Sequence, residues 1–187
     1  MGRPARIGRA AILDAALELA DQDGLDGVTM HAVARRLNVT TMALYRHMDG
    51  KDALLDGLVE RLLTGFPQQQ ARQPGEQWLT AMASGIREIA RRHPAVFPLL
   101  LTRPAVTPAA QRVRDAVVAV LQDAGLTEPG AKRAERLLST AVLGFAASEV
   151  TGRFRQHDQA VLDQDFAELL RWLRLALASP PAAEENG

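Results

Sequence analysis

Apolar residues recur along this chain with a helical period and show no strand-like alternation of any length. Ile12, Leu13, Ala16, Leu17, Leu19 and Ala20 repeat at three and four residues, and Gly24 predicts the end of that helix. Thr29 is placed to cap a short helix, MHAVARRL, whose Val33 and Leu37 point inward. Asn38 and Val39 break the pattern. Thr40 then caps a second short helix, with Leu44 and Met48 as its buried positions. Asp49-Gly50 breaks it again before a longer amphipathic helix, KDALLDGLVERLLTGF. A short helix, a tight turn and a second short helix, set behind a longer one, form the layout of a helix-turn-helix unit.

The polar stretch PQQQARQPGEQ (67–77) reads as a connector. A helix over about 78–92 ends at His93-Pro94, and His93 is most simply a helix-terminal residue interacting with carbonyls. An apolar segment, AVFPLLL, is closed by TRPAVTP. A helix over about 109–124 follows, with Gly125 as its C-terminal signal; Thr127 then caps the next, with Pro129 at the first helical position. That helix, over about 131–151, is apolar on more than one face, through Leu137, Leu138, Val142, Leu143, Phe145 and Ala146. One-sided burial does not account for such a pattern. GRFRQHDQ is a loop, residues 166–178 form the last helix, and the tail SPPAAEENG is expected to be disordered. The expected fold is all-α.

Composition narrows the function classes. Apolar residues make up 47% of the 187 and aromatics only 4%, so the core must be built from Ala, Leu and Val, which suits close-packed helices. Cysteine is absent, which excludes disulfides, thiolate zinc sites and cysteine nucleophiles. Without a leader or a membrane-length apolar run, a soluble cytoplasmic chain with no membrane partner is expected. The four histidines are scattered, and no serine stands in a Gly-x-Ser-x-Gly turn. No catalytic residue, metal or cofactor is therefore expected, and the chain does not read as an enzyme. The formal net charge is zero, so any affinity for nucleic acid must come from a local patch.

Such a patch is visible. The only tyrosine, Tyr45, and one of the two lysines, Lys51, fall within seven positions around the second short helix. In a helix-turn-helix that helix presents base-reading groups to the major groove while flanking polar groups hold phosphates. Thr41, Met42, Ala43 and Tyr45 lie opposite Leu44 and Met48, and Tyr45 and His47 carry hydrogen-bonding tips on rigid bodies. Lys51 opens the next helix, where a cation is unfavourable for the isolated helix but sensible beside a phosphate. The bland alternative is that Tyr45 only covers the edge of the core. At the chain start Arg3, Arg6 and Arg9 have no acid among them; this basic arm either reaches phosphate or the minor groove, or is a solubilising tail.

The segments ILDAALELADQDGLDGVTM, VARRLNV and TTMALYRHMDGKDALL resemble, in order and spacing, the DNA-binding domain of the tetracycline-repressor (TetR) family. The resemblance implies base contacts from Thr41, Met42, Ala43 and His31, with Thr40 at the head of the same helix. It implies phosphate contacts from Thr29, Tyr45, His47 and Lys51, and Arg3 and Arg6 join these as candidates. Met48 stands where many members have Phe. Met42 and Ala43 bond poorly, so reading should lean on thymine methyls. RRHPAVFPLLLTRP, AVLQDAGLTEPGA and LLSTAVLGFAASEV resemble, more loosely, the ligand-binding and dimerisation domain of the tetracycline-repressor subgroup. This implies an arm and helix-turn-helix domain at 1–50, a connecting helix and helical ligand-binding/dimerisation domain at 51–178, and a tail at 179–187.

The implied function is a homodimeric repressor, released from a palindromic double-stranded DNA operator by a small-molecule effector. Competing readings are a ligand-independent or activating DNA-binding regulator and, from another class, a small-molecule carrier or enzyme using the helical cavity. Dimerisation is expected through helices at about 131–151 and 163–178, including Leu138, Val142, Phe145, Leu169, Trp172 and Leu173. Met82, Ile86, Ile89, Phe97, Leu100, Val113, Val117 and Phe145 stand where they can line a shared cavity, with Arg87, Thr102 and Glu149 to orient an apolar ligand. The subgroup's magnesium–tetracycline complex is not expected. Where that repressor has a metal-binding histidine before the TRP turn, this chain has Leu99, and the acid of the long helix is shifted by one, to Glu149 instead of Ser148.

Overall fold

A computed structural model describes residues 7–64, 75–104 and 106–178. Arg3 and Arg6 of the basic arm, most of the polar connector and the 179–187 tail lie outside the described residues. The elements are α1 (Arg9–Gly27), α2 (Met30–Arg36), α3 (Thr41–Tyr45), α4 (Lys51–Leu63), α5 (Glu76–Arg92), α6 (Leu99–Thr102), α7 (Pro108–Asp123), α8 (Glu128–Val150) and α9 (Gln159–Ala178). No strand occurs among the described residues, and none of the helices is long and apolar enough to cross a membrane. The fold is all-α, with an N-terminal helix-turn-helix.

The described residues form two compact units. One contains 7–64 and Ile89–Gln111; the other contains 75–88 and 112–178, so α5 and α7 each contribute residues to both. α4 falls in the first unit, where its apolar face packs on α1. Ile12 and Ala16 of α1, Val33 of α2, Leu44 of α3 and Leu54 and Leu58 of α4 share a core with no solvent exposure. Each of the valine, leucine and isoleucine side chains contributes about 1.5–3 kcal/mol by leaving water. α1 and α4 approach closely where Gly57 faces Leu13, since a Cβ at Gly57 would overlap the leucine methyl.

Local chemistry sets the helix ends. α1 is kinked at Gly24, whose φ of 74° is open to glycine, and a further helical turn runs on to Gly27. Thr29 caps α2 by accepting from the Ala32 N–H at 3.0 Å. α2 ends in a Schellman motif: Asn38 takes φ 54°, its N–H donates to the Arg35 carbonyl, and the Val39 N–H donates to that of Ala34. Thr40 caps α3 through the Ala43 N–H, at 3.3 Å.

Polar ties then fix the first unit. Arg36 donates to Glu18 at 2.7 and 3.0 Å and to Gln22 at 3.0 Å, joining α2 to α1. Arg61 of α4 pairs with Asp14 of α1, and Glu60 accepts from the Ala109 N–H at 2.8 Å at the start of α7. His93 follows α5, as its helix-terminal reading had it. Its ring, however, faces a carboxylate and not carbonyls, with Nδ1 2.9 Å from Asp21 Oδ2.

In the second unit Thr127 caps α8 through the Gly130 N–H at 3.3 Å, and Pro129 takes the second helical position because Glu128 opens the helix. α9 begins at Gln159, seven residues before the expected 166. Leu162 and Phe166, four apart and both buried, carry that extra length into the core, although exposed Asp163, Gln164 and Asp165 lie between them.

Candidate nucleic-acid interface

α3 has only five residues, too few to hold a helix in water by itself. It is held by Leu44 and Met48, 0% and 2% exposed, beneath it and by its Thr40 cap. The opposite side faces outward, with Met42 72% and Tyr45 50% exposed. Thr41 and Ala43 are half-buried, while Thr40 and His47 are exposed, as are Thr29 and His31 at the head of α2. Two methionines six residues apart thus do opposite work: Met48 anchors, and Met42 projects.

Gly50 turns the chain into α4 with φ 90° and ψ −165°, a conformation that needs glycine. Lys51 follows at the first helical position. It is exposed, and its ammonium has no partner among the described residues. Asp52 stands beside it but is engaged elsewhere. Arg103, after α6, donates to Asp52 Oδ1 and to Asp56 Oδ1, each at 2.6 Å. The Arg103 guanidinium is held above its ordinary pKa first by its hydrogen bond to Asp52 and then by that to Asp56. The two nearest acids of α4 are therefore both bonded to one guanidinium, which offsets half of their charge, and Lys51 stands as a free cation beside the free N–H groups of a helix start. Sequence separation hides this tie, since Arg103 lies 51 residues from Asp52.

The expected ligand-lining residues divide between the two units. Phe97, Leu100 and Thr102 lie in the first, where Phe97 is fully buried and Thr102, exposed, donates its hydroxyl to the Pro98 carbonyl. Met82 and Ile86 of α5, Val113 and Val117 of α7 and Phe145 of α8 lie in the second, the first two buried and the others half-buried. Leu99, at the position weighed for metal binding, is buried.

Arg87 and Glu149, expected to orient a ligand, are bonded to each other. Arg87 donates through Nε to Glu149 Oε2 at 2.6 Å and through Nη2 to Oε1 at 3.2 Å. Its Nη1 lies 2.9 Å from Asp163, and its guanidinium carbon lies 4.7 Å from the Phe166 ring centre and 5.5 Å from that of Phe145. Gln159 donates to both carboxylates, at 3.0 and 3.1 Å. The side chains of Arg87 and Glu149 are 8% and 6% exposed. This arrangement joins α5, α8 and α9. Gln159 and Asp163 were not anticipated from sequence, because both fall in the polar first turns of α9.

Two family models match the chain: "Bacterial regulatory proteins, tetR family" over residues 12–58 and "Tetracyclin repressor-like, C-terminal domain" over 79–173. The HTH-type transcriptional repressor DrrR1 of Streptomyces coeruleorubidus is 30% identical over 159 residues, a match that covers 83% of this chain and 58% of that relative. Tetracycline repressor protein class C of Escherichia coli is 31% identical over 160 residues, covering 82% of this chain and 73% of the relative. ActR, a TetR family protein of Streptomyces coelicolor solved in complex with actinorhodin, shares the fold with a TM-score of 0.82 at 20% identity, covering 96% of this chain and 99% of that one. These relatives are regulators and not enzymes. A capped, core-anchored helix-turn-helix joined to a C-terminal helical unit that matches the second model places the chain in the tetR family of bacterial regulatory proteins.

Proposed function

We propose that the chain is a homodimeric transcriptional repressor that binds a roughly palindromic operator through α3 and is released by a small molecule. The observation that carries the DNA-binding part is the exposed face of α3 beside an unpartnered Lys51, in a unit where Arg103 bonds both Asp52 and Asp56. Thr41, Met42, Ala43 and His31 face base edges, while Thr29, Tyr45, His47 and Lys51 hold phosphates. Arg3 and Arg6 add contacts from the arm.

Dimerisation is supported by apolar side chains left in solvent on the two long helices. Leu137 of α8 is 67% exposed, and Trp172 and Leu175 of α9 are 58% and 56% exposed. Two such helices from each chain close a four-helix bundle with two-fold symmetry, which requires a two-fold DNA site. Met82, Ile86, Val113, Val117 and Phe145 supply apolar surface for an effector. DrrR1 bears the name of a repressor, and ActR has been solved with actinorhodin, which favours a repressor that answers to a small molecule. The effector acts by binding one conformation of the dimer more tightly than the DNA-bound one.

Enrichment of genomic fragments on the full chain tests this reading. Palindromic fragments should be retained, with two chains per duplex by mass, and binding should weaken steeply with salt. Lys51→Ala should weaken binding about equally on every sequence and lower the slope of log affinity against log salt by about one. An unchanged slope would remove Lys51 from the interface. Retention of no DNA at any salt would leave a carrier of small molecules as the better reading.

A further inference from the structure

α3 ends beside a cation, Arg46, that is not among the groups proposed to hold phosphates. Arg46 follows the helix with φ −71° and ψ −15°, so it continues the helical path by one residue. The His47 N–H donates to the Leu44 carbonyl at 2.8 Å, and the buried Met48 anchors the chain immediately afterwards. Arg46 therefore lies four residues beyond Met42 on one face, one turn further along the helix axis. Tyr45, one residue earlier, projects about 100° to one side of it. Arg46 is exposed like Met42.

The other arginines with a structural role in this unit are engaged. Arg36 is held by Glu18 and Gln22, Arg61 by Asp14, and Arg103 by Asp52 and Asp56. The guanidinium of Arg46 has no partner among the described residues. A rigid fork of donors thus stands unpaired on the same face as the most exposed apolar side chain of α3.

We propose that Arg46 is a specificity residue that donates from the major groove to O6 and N7 of a guanine, while Met42 contacts a thymine methyl nearby. Donor geometry supports this, since a guanidinium matches the two acceptors of guanine and a thioether side chain matches a methyl. The four residues from Met42 to Arg46 advance about 6 Å along the helix axis, against about 3.4 Å per base step. The guanine and the thymine therefore lie within about two base pairs of each other in each half-site. A phosphate contact from Arg46 is the competing role, and it would carry no base preference.

The inference rests on the reading of α3 as the groove helix, and the test separates the two. Binding sites are selected from a random duplex pool with the full chain and with Arg46→Ala, and the variant's helicity and melting temperature are compared with those of the wild type. The wild type should enrich a guanine within two base pairs of a thymine in each half-site. Arg46→Ala should lose the preference for that guanine by about tenfold or more, with the other positions unchanged. Replacing the guanine by 7-deazaguanine, which removes N7, should weaken the wild type, and this arm needs no variant. An identical consensus with uniformly weaker binding by Arg46→Ala, or indifference of the wild type to 7-deazaguanine, overturns the assignment. If the wild type enriches no sequence at all, the DNA-binding reading itself fails, and the assignment falls with it.

Discussion

Arg36 and Arg87 each join helices through carboxylates, but Arg36 keeps 32% of its side chain in solvent and Arg87 only 8%. In the first unit the ion pairs of Arg36, Arg61 and Arg103 lie at the rim of an apolar core that already holds the helices. Water competes for such pairs, and each contributes little. In the second unit the pair is part of the interior, and Arg87 is closed in by Phe145 and Phe166. Removing one partner there strands a charge. The same chemistry trims one unit and is structural in the other.

The largest effect expected from this contrast is at Arg87. Arg87→Ala should cost about 3–5 kcal/mol in chemical denaturation, because Glu149 is left buried without its guanidinium. Replacing both partners by apolar side chains, Arg87→Met with Glu149→Leu, should recover most of that loss. A loss below about 1 kcal/mol for Arg87→Ala would mean that water reaches Glu149 freely and would erase the contrast.

Glu135 sharpens the comparison, with a smaller effect of opposite sign. It is buried in the second unit, and burial raises its pKa against the opposing hydrogen bond of Ser139 and the charges of Arg114 and Arg136. The folded chain then holds this proton more tightly than the unfolded chain does. The favourable contribution is complete below the ordinary value of 4.5 and is lost as pH rises through the raised folded value. Glu135→Gln should therefore melt at a higher temperature than the wild type at neutral pH, with the advantage vanishing below about pH 4.5. A gain of the same size at every pH would show that the carboxyl's charge is not what costs stability.

The smallest effect belongs to Arg36. Arg36→Ala should lower stability by about 0.2–1 kcal/mol, and salt should narrow the difference. A loss comparable to that of Arg87→Ala would show that the rim pairs are cooperative.

What the sequence made legible was local. Thr29, Thr40 and Thr127 cap the helices they were expected to cap, because a cap needs only a hydroxyl and an N–H three residues on. Leu44 and Met48 were recognisable as anchors from their spacing. The start of α9 was not, because one buried residue among the seven from 159 to 165 gives too weak a period against the polar ones around it. The pairing of Arg87 with Glu149 spans 62 positions, and nothing in either neighbourhood announces it. Each residue was noticed singly, as a polar group on an apolar helix.

The fork of Arg103 has a consequence in time. Exposed charges steer an approaching partner before any contact forms, and they change the rate of encounter more than the lifetime of what results. With Asp52 and Asp56 both bonded to Arg103, an incoming polyanion meets Lys51 with one net negative charge behind it instead of two. On the proposed reading, a side chain placed after α6 shapes how fast the protein finds its site, while the groups on α3 decide how long it stays.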